Sequence, residues 1–403
     1  MKKIFLITLL CLTIILTSCS ETSSKEDLPQ DGNDIETALT TSTYTPVPTP
    51  TPTPTPIPEV RITLAEKSFF EGDYQTAIIE LQQAKANTTE TNLKAAADIR
   101  LAQIYISESR FSEAINLLSI YLEDTTINDE QKAMAHYFYG VSQENMNNPV
   151  ESSRGYAGYS KLLPGKLDTF MLEKAGDVNY QSNMLDDALT YYNMALESGQ
   201  SGDITNIKIK VGRIYAAQLD YTNAIRIFME VHDASPNEYV RAQMNLLAGQ
   251  SYLALGLPEQ AYARFQESVQ NYPKAFDTHS GLVALVDAGI PVDEFNRGLT
   301  NYYAGSYGLA INAFLRYMEQ NPDHNGNSLY FIGLSYLKMD DPVNAIVYWN
   351  QLINNYPDNI FFIDAWEDIA YTQWAYLNQY STGAQTLLKY ANSYSGDENA
   401  AEA

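Results

Sequence analysis

One spaced signal recurs along most of this chain. A small residue usually follows an aromatic residue or proline by three positions and precedes a large apolar residue by four. It stands at positions 77, 114, 152, 188, 224, 261, 310, 345 and 383, in steps of 37, 38, 36, 36, 37, 49, 35 and 38 residues. Twelve residues earlier a second small residue stands in eight of the nine units: Ala65, Ala102, Gly140, Gly176, Gly212, Gly249, Gly298 and Gly333. The ninth unit has Tyr371 there. Pro236, Pro273, Pro322 and Pro357 close four units. A unit of this length with apolar residues at helical spacing holds two helices and a turn. The small residues mark where the paired helices cross most closely. The aromatic residue after the second of them is expected to fill the gap to the next pair, and proline stops the second helix. No such pair buries its apolar face alone, so the units must stack.

The fullest unit is Leu247-Ala248-Gly249-Gln250-Ser251-Tyr252, then Gly256, Ala261, Phe265 and Pro273. It resembles the tetratricopeptide repeat (TPR), whose pattern of Leu-Gly-x-x-Tyr, Ala, Phe and Pro spans about 34 residues. The resemblance runs over residues 60 to 395. It implies an all-α, right-handed α-solenoid of about nine TPR-like helix pairs. Residues 60–274 hold repeats one to six on this reading, and 275–395 hold an extra helix and repeats seven to nine. The 49-residue step makes room for that helix. Residues 275 to 290 carry helical apolar spacing, ended by Gly289 and Pro291. Asp293 and Glu294 then open unit seven, where acids suit a helix N-terminus.

The first residues read differently. Lys2 and Lys3 precede an apolar run from Ile4 to Leu16, shorter than the ~20 residues a spanning helix needs. The run ends in Leu16-Thr17-Ser18-Cys19, which resembles the bacterial lipobox. That resemblance implies a lipoprotein signal peptide over 1–18 and lipid on the Cys19 thiol. Residues 19–59 form a Thr/Pro-rich linker, in which proline at alternate positions from Pro46 to Pro58 favours extended polyproline II. The expected protein is therefore exported and lipid-anchored, at the bacterial cell membrane or the outer membrane.

The remaining composition narrows the chemistry. Forty-nine acids against 25 bases give a net charge of −24, which argues against nucleic acid, since phosphate selects clustered Lys and Arg. The only cysteines are Cys11 and Cys19, so the helical part holds no disulfide and no cysteine zinc site. His136, His232, His279 and His324 lie far apart and suggest no metal. Ser160 to Leu167 echoes the end of a P-loop but lacks its first Gly and its final Ser or Thr. Asp186-Asp187 and Asp340-Asp341 are read as caps of the second helix in their units. No catalytic motif is found, and no cofactor is expected.

Binding is the function left. In the TPR resemblance, the first (A) helices line a concave face. By repeat register Gln103, Glu144, Tyr180, Arg213, Gln250, Tyr302 and Tyr303 are its candidate contact residues. The positions where carboxylate-gripping repeats carry Lys and Asn hold Ile209, Leu246 and Tyr330 instead. Segments in 270–395, such as Tyr302-Tyr303-Ala304-Gly305 and Asp364-Ala365-Trp366-Glu367, resemble the superhelix region of soluble lytic transglycosylases. That likeness implies a cell-wall setting and adds peptidoglycan as a candidate partner. The leading expectation is an envelope scaffold that binds a protein or peptide in its groove. The alternative is the non-catalytic part of a lytic transglycosylase. Residues 396–403 read as a tail or as the first turn of a further A helix, with more protein expected after it.

Overall fold

Alternating A and B helices follow directly from the period. The computed structural model describes residues 56–199 and 203–394. The expectations for the signal peptide, Cys19, most of the linker and the tail at 396–403 lie outside the described residues. Among the described residues there are nineteen α-helices and no strand. Helix α1 (Pro58–Phe70) pairs with α2 (Tyr74–Ala86), and α3 (Thr91–Ser107) with α4 (Phe111–Leu118), which a 3-10 turn extends over Ser119–Tyr121. Next come α5 (Asp129–Asn145) with α6 (Pro149–Leu162), and α7 (Asp168–Gln181) with α8 (Leu185–Glu197). Then follow α9 (Ile204–Ala217) with α10 (Tyr221–Ala234), and α11 (Glu238–Ala254) with α12 (Pro258–Asn271). Helix α13 (Phe276–Asp287) occupies the long step. The last pairs are α14 (Glu294–Tyr303) with α15 (Tyr307–Gln320), α16 (Asn327–Lys338) with α17 (Pro342–Asn355), and α18 (Phe362–Ala375) with α19 (Tyr380–Ser393). The first helix begins two residues before position 60, with Pro58 at its N-terminus, where a missing N–H costs nothing.

All nine A-to-B turns use one device. A residue five before the B-helix anchor takes a left-handed conformation: Gly72, Ser109, Asn147, Asn183, Leu219, Gly256, Gly305, Asp340 and Asn378, with φ between 55° and 81°. In the first eight units the next residue donates its N–H to the carbonyl five back, as from Arg110 to Tyr105 at 2.7 Å. That bond closes helix A, and the same residue is the N-cap of helix B. Where it is Asp73, Asp220 or Asp341, its side chain accepts the backbone N–H three residues on, at 3.0 to 3.1 Å. Asp186 and Asp187 are not caps. They lie inside the first turn of α8, whose N-cap is Met184, and Asp186 accepts from Gln218 Nε2 at 2.7 Å instead.

The aromatic anchor reaches the next pair, as expected, since Tyr192 clusters with Ile207 and Val211 of α9 and Phe228 with Met244 and Ala248 of α11, and it also seats on a glycine of its own pair. A Cβ built on Gly176, Gly212, Gly249, Gly298 or Gly333 would lie under 3.0 Å from the ring of Tyr192, Phe228, Phe265, Phe314 or Trp349 respectively. The glycine on helix A is the seat of the ring sixteen residues later on helix B. In the first two units the pairs are Ala65 with Leu81 and Ala102 with Leu118, all buried.

The ninth unit departs for a local reason. Its turn carries one extra residue, and Gln379 donates to Gln373 rather than to the carbonyl five back. The register shifts by one, so Ala370, not Tyr371, lies at the crossing. A Cβ on Gly383 would stand 2.9 Å from the Ala370 carbonyl oxygen. Tyr371 is turned outward and is exposed.

Candidate functional site

Successive A helices place their small-residue register on one face, and positions one, four and five after the small residue carry the expected contact residues. The structure uses several of them internally. Glu144 accepts from the Tyr156 hydroxyl on helix B of its own pair. Gln103 accepts from Arg100 at 3.1 Å, and Arg100 also pairs with Glu66 at 2.8 Å. These groups border a pocket of about 120 Å³ between α1 and α3, floored by Ala65, Leu81 and Ile104. Tyr302 is half-buried, edge-on to Tyr303 at 5.2 Å and to Phe331 at 5.5 Å. It belongs to the aromatic packing of units seven and eight.

Four candidates remain exposed: Tyr180, Arg213, Gln250 and Tyr303. Lys274 Nζ lies 5.7 Å from the Tyr303 ring centroid. Asp277 on α13 is raised by burial, and the nearby Arg213 charge opposes that rise. The candidates are spread along the stack and are not drawn into a common pocket. Two larger hollows lie elsewhere. One of about 540 Å³ is bordered by Gln266 and Gln270 on α12 and by Pro291, Val292 and Asn296 near the start of α14. One of about 420 Å³ lies at the turns around Asn325, Asn327, Tyr356 and Asn359.

Sequence register missed two features of this face. Lys210 bridges Glu173 at 2.7 Å and Asp177 at 2.6 Å, tying α9 to α7, while the Tyr192 hydroxyl donates to Asp177 at 2.6 Å. Burial pulls the Lys210 ammonium down, but the bonds to Asp177 and Glu173 outweigh it and the pKa rises. The second feature is α18. Tyr371 and Trp374 are exposed, with ring centroids 5.9 Å apart. The spacing of 367, 371 and 374 on a helix was the available signal; the displaced ninth register hid it. Among the described residues no cluster of His, Cys, Asp or Glu is placed to hold a metal ion, and no helix is long and apolar enough to cross a membrane.

Comparison with known proteins agrees with the helix pattern. A tetratricopeptide repeat-like domain family matches residues 58–134, and a tetratricopeptide repeat family matches residues 244–275 and 328–359. The chain therefore carries TPR repeat domains. No curated protein matches it. Among solved structures, the C-terminal part of a TPR repeat-containing protein from Cytophaga hutchinsonii is 16% identical, with a TM-score of 0.37 over 75% of this chain and 98% of that one. Pseudomonas aeruginosa pilF is 15% identical, with a TM-score of 0.35 over 56% of this chain and 97% of that one. YrrB, described as a TPR protein with an unusual peptide-binding site, is 19% identical, with a TM-score of 0.26 over 53% of this chain and 98% of that one. Scores this low transfer neither partner nor activity.

Proposed function

We propose that this chain is an exported, lipid-anchored TPR scaffold that holds a protein partner against its A-helix face. The carrying observation is the succession of A helices, which offers Tyr180, Arg213, Gln250 and Tyr303 to solvent at positions one, four or five after the small residue of their repeats. Stacked repeats turn small per-unit surfaces into one extended contact surface. Anchoring rests on Leu16-Thr17-Ser18-Cys19, with Cys19 as the lipid-bearing residue and the Pro/Thr segment as spacer. The envelope setting follows from that motif alone. The likeness of 270–395 to transglycosylase superhelices adds peptidoglycan as a second ligand to try, and retention on isolated sacculi is its check.

Site-specific photo-crosslinking in cells tests the scaffold reading. A benzophenone side chain at Tyr180, Arg213 or Tyr303 should yield discrete protein adducts. The same group at Val347 or Leu388, exposed on B helices, should not. Adducts from the B-helix positions alone would overturn the assignment of the working face. Cys19→Ala should release the protein from the membrane fraction; unchanged membrane retention would overturn the anchor.

A further inference from the structure

We propose that α18 binds a lysine- or arginine-rich segment of the partner protein, which rests on the A-helix face being the working surface. Asp364, Glu367, Asp368, Tyr371 and Trp374 follow one another at helical spacing and form one stripe. The opposite side of the helix, with Ala365, Trp366, Ile369 and Ala370, is buried. The stripe continues the A-helix face, because Asp368 accepts from the Tyr330 hydroxyl of α16, the preceding A helix, at 3.0 Å.

Two kinds of group meet on that stripe. Tyr371 and Trp374 are 52% and 54% exposed, and Tyr376 stands 6.1 Å from Tyr371 between centroids. Large aromatic rings are seldom left to water side by side without a contact to make. Beside them Asp364 and Glu367 are exposed, and the charges felt by the half-buried Asp368 are those of these two neighbours. Among the described residues none of the three carboxylates forms an ion pair.

Charge then selects the occupant. From residue 327 to 394 there are six acids against two bases, within a chain of net charge −24. An acidic peptide, an anionic lipid surface and a second copy of this chain are all repelled. A cationic side chain is attracted by the carboxylates, its stem lies on apolar ring, and its head sits over a π-face. Lysine or arginine in an extended segment meets all three conditions.

Trp374 reports on the site. The other two tryptophans, Trp349 and Trp366, are 0% and 7% exposed, so acrylamide quenching of the full chain reads mainly Trp374. A twelve-residue peptide of alternating lysine and glycine should protect that emission, and its glutamate counterpart should not. By anisotropy of the labelled lysine peptide, Trp374→Ala and the pair Asp364→Asn/Glu367→Gln should each weaken binding about tenfold. The pair Glu238→Gln/Glu259→Gln removes as much charge from exposed sites on other helices and should change binding less than twofold. Equal weakening by the two pairs overturns the proposal, as does binding without protection of Trp374. Circular dichroism confirms that each variant is folded. If the peptide fails while crosslinks from Tyr180 and Tyr303 persist, α18 is the wrong subsite and the scaffold reading stands.

Discussion

At Gly249 a single hydrogen in place of a methyl group decides how a helix pair closes. The Phe265 ring occupies the space a Cβ would need, and both residues lie in the core. The chain contains a natural comparison, because its first two pairs place Ala opposite Leu where the next six place Gly opposite a ring. Gly249→Ala should cost about 1–3 kcal/mol, since an inserted methyl group forces buried rings off their rotamers. Phe265→Leu alone should also destabilise, by leaving a cavity. Together they rebuild the Ala–Leu pairing of the first two units, so the double variant should be more stable than the sum of the single changes predicts. A double-mutant cycle from urea unfolding measures this coupling, expected at about 1 kcal/mol or more. Additive losses would mean that the glycine and the ring do not share the space. The same relation was only half legible at this scale. One-dimensional spacing reveals that Gly249 and Phe265 recur together and that the ring reaches the next helix, where Leu282 and Leu285 meet it, but not that the glycine of its own pair is its seat.

At the scale of the element, α18 shows that a site can carry a stability cost. Burial holds the Asp368 carboxyl above the usual carboxylate range; the Tyr330 hydroxyl opposes that, and the Asp364 and Glu367 charges add to the rise. An acid whose folded pKa is raised favours the fold while protonated. That contribution is complete below the unfolded value of about 3.9 and is lost as pH climbs through the folded value. Asp368→Asn keeps an acceptor for Tyr330 and removes the charge. Its melting temperature should exceed that of the native chain at pH 7, and the two should converge by about pH 3. A difference that persists unchanged in acid would show that the charge is not responsible. How far such elements were legible follows from what fixed them. Helix pairing and the extra helix α13 follow from the period, because the apolar spacing and the turn residues are local. The α18 stripe was hidden by one added turn residue, which put Tyr371 at the small-residue position. Glu144 looked available because its partner, Tyr156, lies across the pair, and a hydrogen bond between helices leaves no mark on helix spacing.

Over the whole helical unit, the cores between neighbouring pairs chain together, with one break. Buried residues of α12 and α13 form one cluster, with Leu246 and Tyr252 of α11 packed against it on one side and Ile290 and Val292 at its end. The next cluster starts at Phe295 and draws only on the helices that follow. By contrast, the cluster around Tyr192 joins α7 and α8 to α9 without interruption. Helix α13 packs broadly on α11 and α12 and only sparsely on α14. In a stack whose stability is a sum of units and nearest-neighbour interfaces, the weakest interface is where cooperativity divides. The segment between α13 and α14 should therefore separate two unfolding blocks. All three tryptophans, Trp349, Trp366 and Trp374, lie on the C-terminal side of it, so tryptophan emission follows only the second block. Helical circular dichroism follows both. Under urea the two signals should give transitions with different midpoints, and limited proteolysis near the first midpoint should cut between residues 288 and 293. Superimposable curves from both probes, with no cleavage there, would mean that the sparse α13–α14 contact is enough to hold the unit as a single cooperative fold.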